Sequence, residues 1–200
     1  MSLLVSFILS IQFLEWVSLV AGLLYIIYLI KEKRIAWLFG FISSTCLAIV
    51  VFSEQIYLQA ILQAFYALIA IYGFIKWSKV DTKKKKVLKI SEYPIKTHLV
   101  LIFIAVLISG SLAKAMEIFV ESSYSTLDAF IFAFAILATY MQANKILSNW
   151  IYWIIINALT IILYLDPKLY VASTLMLIYL GLAIYGYIKW KKKISLQKES

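Results

Sequence analysis

Residues Tyr66–Trp77 read YALIAIYGFIKW, and residues Tyr179–Trp190 read YLGLAIYGYIKW. The two stretches lie 113 positions apart, and nine residues agree over Leu62–Trp77 and its counterpart. The same offset, without gaps, pairs Trp37 with Trp150, Ser44 with Asn157, Tyr57 with Tyr170 and Glu15 with Asp128. Chance identity is common among apolar residues. Trp, Gly and Lys falling into step at one offset mark an internal repeat.

Each copy of that stretch is the last of three apolar runs. A helix needs about 17 to 25 mostly apolar residues to cross the hydrocarbon core of a bilayer. Seven such runs are predicted, over residues 13–30, 36–52, 56–77, 96–113, 127–143, 149–165 and 169–190. Charged or Pro-containing segments separate several of them, among them Lys31-Glu32-Lys33-Arg34, Lys83-Lys84-Lys85-Lys86 and Asp166-Pro167. The composition agrees with this reading. Of 200 residues, 64% are hydrophobic and 14% charged, against roughly a quarter charged in ordinary soluble chains. The fold class expected is an all-α integral membrane protein. Residues 1–12 are read as an interfacial N-terminal segment, and the Lys- and Arg-free start argues against a cleaved secretory signal.

Charge placement tests the number of spans. With seven, the loops after spans one, three and five and the C-terminus share one side. That side collects 17 of the 19 basic residues, leaving only Lys114 and Lys168 opposite. The positive-inside rule then places the C-terminus in the cytoplasm and the N-terminus outside, in a plasma membrane of the bacterial inner-membrane type. This topology accounts for the formal charge of +9, so no nucleic-acid partner is assigned to the lysine run.

Three spans separate span one from span five, so the two run in the same direction. The expected organisation is 3-1-3. A first three-helix repeat covers 13–77, a basic loop and linker helix 78–125, a second repeat 126–190, and a basic cytoplasmic tail 191–200. Parallel repeats related by an axis along the membrane normal occur in transporters, including the SWEET class, with the substrate near the midplane.

Polar side chains at membrane depth sharpen this. Span six carries Trp150, Trp153, Asn157, Thr160 and Tyr164 on one helical face. Span three carries Gln55, Gln59 and Gln63 at intervals of four, with Tyr66 next on that stripe, and Ser44 matches Asn157 in span two. Two readings stay open. These groups either bond helices together, or line a cavity where indole faces stack on a flat or cationic ring and amides meet its polar groups. Glu15 and Asp128 carry the same ambiguity, as gating acids or as acids favoured by a helix N-terminus.

Much chemistry is excluded. The chain has no HExxH, GxSxG, Walker loop or GxGxxG motif. Cys46 is the only cysteine, and His98 the only histidine, with no partner at metal-ligand spacing. No metal, cofactor or enzymatic activity is expected. A retinal protein would need a mid-span Lys in the last helix, where Lys168 and Lys189 sit at the ends. SWEET-class sugar transporters carry a membrane Pro in each repeat, whereas Pro94 and Pro167 lie outside the spans.

The run Ser148-Asn149-Trp150-Ile151-Tyr152-Trp153-Ile154-Ile155-Ile156-Asn157 resembles the NWxxWxxxN/D signature of PnuC-type vitamin transporters. Glu15-Trp16 is similar to that family's first-helix acid. The stretch from Gln63 through Tyr66 to Tyr72-Gly73 and Trp77 is similar to its third helix, and Gln142 to the Gln often found before the WxxW helix. The likeness extends from about Glu15 to Trp190. It implies facilitated diffusion of nicotinamide riboside, or of thiamine or riboflavin in some members, with trapping by a cytosolic kinase. It also implies a homotrimer and a rocking movement between repeats. Trp150 and Trp153 would stack on the ligand ring, and Asn157 and Gln63 would hydrogen-bond it. The first repeat has Gly40 opposite Trp153 and Ser44 opposite Asn157, which fits one aromatic wall. A non-transporting membrane scaffold is the alternative from another class.

Overall fold

The structure is a computed structural model that describes residues 2–78, 88–119, 125–165 and 170–199. Those residues form seven helices: α1 (Ser2–Ile30), α2 (Ile35–Ser53), α3 (Tyr57–Ser78), α4 (Ile95–Phe119), α5 (Ser125–Ala143), α6 (Asn149–Leu165) and α7 (Tyr170–Glu199). No strand occurs among them, only a single bridge between Ser91 and Ile146. In hydrocarbon a helix pairs its own backbone groups, so this is the form such apolar runs must take. Among the described residues, five stretches are long and apolar enough to cross a membrane: Ser10–Ile30, Ile35–Ser53, Gln59–Ser78, Ile95–Met116 and Thr126–Ala143. Asn149–Leu163 is a shorter apolar helix. The protein is an all-α, multi-pass membrane protein.

α1, α4 and α7 run past the spans expected from hydropathy. α1 starts at Ser2, so residues 2–12 continue the same helix as the first span. α7 carries Lys191–Lys193 on to Glu199. Polar residues mark the edge of the bilayer, but Ser and Lys do not break a helix. Lys83–Lys86, Asp166-Pro167 and Lys168 lie outside the described residues.

The chain divides into two units, residues 1–88 and 89–200. In the first, α2 packs on both α1 and α3. In the second, α4 packs on α5, α5 on α6 and α6 on α7. The 113-residue offset returns inside each unit as geometry. Trp37 meets Trp77 edge-on at 5.4 Å, and Trp150 meets Trp190 edge-on at 5.3 Å. Lys76 donates to the Tyr72 hydroxyl at 2.8 Å and Lys189 to the Tyr185 hydroxyl at 3.2 Å. The turns repeat as well. Glu32 follows α1 at φ 54° and Lys145 follows α5 at φ 53°. Lys33 then donates its N–H to the Tyr28 carbonyl at 2.9 Å, and Ile146 to Met141 at 3.0 Å. This is the six-to-one bond of a Schellman cap, which satisfies the orphan carbonyls at the helix end. Gln55, at φ 62°, closes α2 the same way, with Ile56 donating to Val51 at 2.9 Å. That turn removes Gln55 from the polar stripe of α3.

The copies differ at mid-depth. Ser18 on α1 donates its hydroxyl to the Ser43 carbonyl at 3.0 Å, and Ser43 on α2 donates to the Ser18 carbonyl at 2.8 Å. The offset places Ile131 and Ile156 there in the second unit. Interhelical hydrogen bonds in membranes average roughly 0.6 kcal/mol each. Ser18→Ala and Ser43→Ala should therefore each lower the thermal midpoint by a small amount. The double variant should lose about the sum of the two single losses, because each hydroxyl bonds a backbone carbonyl that alanine keeps. Additive losses in a detergent melting series would show two independent bonds.

Candidate functional site

The polar face expected on α6 faces inward. Trp150, Asn157 and Thr160 are buried and Trp153 is half-buried, whereas Ile151, Ile155 and Ile162 are exposed on the other faces. These residues do different jobs. Trp150 is 0% exposed. Its ring lies against Trp190 and so close to Gly186 that a Cβ there would come within 2.7 Å of it. Trp37, which no ligand reading had included, sits over Gly73 in the same way. Trp150 is thus fully buried against Trp190 and Gly186, whereas Trp153 keeps part of its surface accessible.

The buried hydroxyls and the buried amides also separate. Thr160 donates to the Ile156 carbonyl at 2.8 Å and Thr139 to Ala135 at 2.7 Å, each satisfying itself on its own helix. Asn157, 6% exposed, has no hydrogen-bond partner among the described residues. Gln63 on α3, also 6% exposed, has none either. Neither amide is among the fully enclosed side-chain N and O atoms that lack a partner, so each keeps an opening toward a ligand or water.

In the first unit Ser44 is buried on α2, and Gln59 and Tyr66 are half-buried on α3 beside Gln63 in sequence. Trp153 and Asn157 belong to the second unit, so the structure gathers the candidates as two sets, each within its own unit. The paired acids part company. Asp128 stands in the first turn of α5, half-buried, where the helix dipole favours it. Glu15 is exposed and more than three turns inside α1. The dipole account therefore does not apply to Glu15, because the helix begins well before the span.

One cluster escaped the sequence reading. The His98 ring lies 3.0 Å through Nδ1 from the Tyr152 hydroxyl and 3.2 Å through Nε2 from the Ser148 hydroxyl. The partners lie 50 and 54 positions away along the chain, so spacing gave no sign of them. Among the described residues no three His, Cys, Asp or Glu side chains gather as a metal site.

Comparison with known proteins follows the same lines. The family model described as nicotinamide mononucleotide transporter matches residues 12–192. The nicotinamide riboside transporter PnuC of Escherichia coli K12 is 26% identical over 209 residues, spanning 90% of this chain and 86% of that protein. PnuC of Neisseria mucosa is 25% identical over 194 residues, spanning 92% and 73%. A crystal structure of the vitamin B3 transporter PnuC aligns with a TM-score of 0.73 at 24% identity, covering 90% of this chain and 81% of that one.

Proposed function

The chain belongs to the nicotinamide mononucleotide transporter family, and we propose that it carries nicotinamide riboside across the membrane. The observation that carries this reading is the pair of buried, unpartnered amides, Gln63 and Asn157. A scaffold has no use for amides left open and unpaired inside its helices, whereas a carrier of a nucleoside does. The relatives that share its length bear the name of nicotinamide riboside transporters.

Trp153 takes the pyridinium ring on its indole face, where a cation is attracted by the ring quadrupole. Asn157, one helical turn further, meets polar groups of the same ligand. Gln63, Gln59, Tyr66 and Ser44 are the candidates of the first unit. Trp150 anchors α6 on α7 and acts on the ligand only through Trp153. The two three-helix segments, 13–77 and 126–190, are the repeats, and 78–125 links them. The protein is a bacterial inner-membrane carrier with its N-terminus outside and its basic C-terminus in the cytoplasm. It catalyses no bond change, works by facilitated diffusion as a homotrimer, and relies on a cytosolic kinase to trap its cargo.

Calorimetric titration of the purified protein tests the substrate. Nicotinamide riboside should bind saturably and thiamine should not. Thiamine binding alone would transfer the reading to the other cationic vitamin. A well-folded sample that binds neither would overturn the carrier reading.

A further inference from the structure

The segment ahead of α4 is fixed to the turn that starts α6. Ser91 donates its N–H to the Lys145 carbonyl at 3.0 Å and accepts from the Leu147 N–H at 2.8 Å. Pro94 then opens α4, with the Thr97 and His98 N–H groups donating to its carbonyl at 2.9 and 3.3 Å. The first turn of α4 is thereby held where the His98 ring faces α6. Both ring nitrogens are engaged by that one helix segment, since Ser148 and Tyr152 stand one helical turn apart. Tyr93 flanks the imidazole with ring centroids 6.0 Å apart, and Phe134 on α5 stacks behind Tyr152 at 6.3 Å. A cavity of about 200 Å³ opens beside the cluster, bounded also by Glu92 and Tyr187.

We propose that His98 is a positioning residue that bolts the linker helix α4 to α6, the helix carrying Trp153 and Asn157. The bolt is chemically two-ended. A neutral imidazole has one donating and one accepting nitrogen, and each hydroxyl can do either. One hydroxyl accepts from the ring and the other donates to it. Both partners flank the functional stripe: Ser148 immediately precedes α6, and Tyr152 immediately precedes Trp153. Removing the ring releases both at once. This end of α6 then gains freedom, and Trp153 loses its fixed orientation. The effect on the ligand rests on the carrier reading; the bolt itself does not.

The single histidine makes the test specific. The full chain, purified without a histidine tag and labelled with ¹⁵N-histidine, gives one imidazole spin system. Tyr152→Phe and Ser148→Ala should each move its ring-nitrogen signals. His98→Leu should speed amide exchange over residues 147–153 by about tenfold and weaken nicotinamide riboside binding by about fivefold. His98→Gln, which keeps a donor and an acceptor, should stay within about threefold of the parent in both. Ring signals that ignore Tyr152→Phe and Ser148→Ala would overturn the proposal. So would unchanged exchange in His98→Leu. A parent protein that binds no nicotinamide riboside would sink the carrier reading, while the imidazole and exchange measurements would still decide this one.

Discussion

Trp153→Ala should weaken nicotinamide riboside binding by roughly five- to 150-fold, because stacking of a base on an aromatic side chain is worth about 1–3 kcal/mol and 1.4 kcal/mol is a factor of ten. Trp153→Phe keeps a ring face and should fall between the variant and the parent. Asn157→Leu should cost a similar amount for a different reason. Leucine fills the buried position on α6 and leaves the ligand's polar group facing hydrocarbon, an unpaired group costing about 1–3 kcal/mol. Asn157→Asp is the informative contrast. A carboxylate still accepts hydrogen bonds and adds attraction for a pyridinium cation, so binding should survive. Gln63→Leu makes the same test in the first unit, where the residue is likewise 6% exposed. Calorimetry reads all five variants against thermal melting. Loss of binding together with a collapsed midpoint would mark these side chains as helix-to-helix glue. Loss of binding at an intact midpoint assigns them to the ligand.

The same division, glue or site, shows what the sequence could and could not disclose. Helix existence was legible because apolar length decides it, and α2, α3, α5 and α6 end within about two residues of the spans read from hydropathy. α1, α4 and α7 run further, because a hydropathy edge reports where lipid ends and carries no information about backbone hydrogen bonds. The polar stripe on α6 was legible from helical spacing. Its inner assignments were not. Trp150 and Trp153 look alike along the chain, and only the closeness of Trp150 to Gly186 separates an anchor from a candidate ligand wall. Gln55 fitted a four-residue rhythm that a left-handed turn interrupts. Spacing suggested that Asn157 and Gln63 turn inward, but not that their own helices leave them unsatisfied. Ser44 stands buried where Asn157 stands in the other copy, so the repeat keeps a polar site while changing its chemistry.

The anchoring of Trp37 and Trp150 on glycine fixes the sign of four substitutions. Glycine inside a helix is about 1 kcal/mol less favourable than alanine, so replacing an unconstrained glycine should raise stability. Gly110 and Gly181 have nothing within 4 Å of an added Cβ, and Gly110→Ala and Gly181→Ala should raise the thermal midpoint slightly. Gly73 and Gly186 should do the reverse. A Cβ at Gly73 would lie 2.4 Å from ring carbons of Trp37, and one at Gly186 would lie 2.7 Å from Trp150. Neither indole can swing aside, since each is fully or almost fully buried and braced edge-on by Trp77 or Trp190. Overpacking of this kind costs about 1–3 kcal/mol, and more where backbone must move. Gly73→Ala should fall further than Gly186→Ala, because its approach is closer. Shrinking the opposing ring removes the clash: Trp37→Leu combined with Gly73→Ala should be less destabilised than the two single losses added. Four alanine variants that shift the midpoint alike would remove the close approach as the reason for glycine. An opposite sign in the two pairs would show that each copy of the repeat is held by one tryptophan laid on one glycine, leaving Trp153 as the indole of α6 free to meet a ligand.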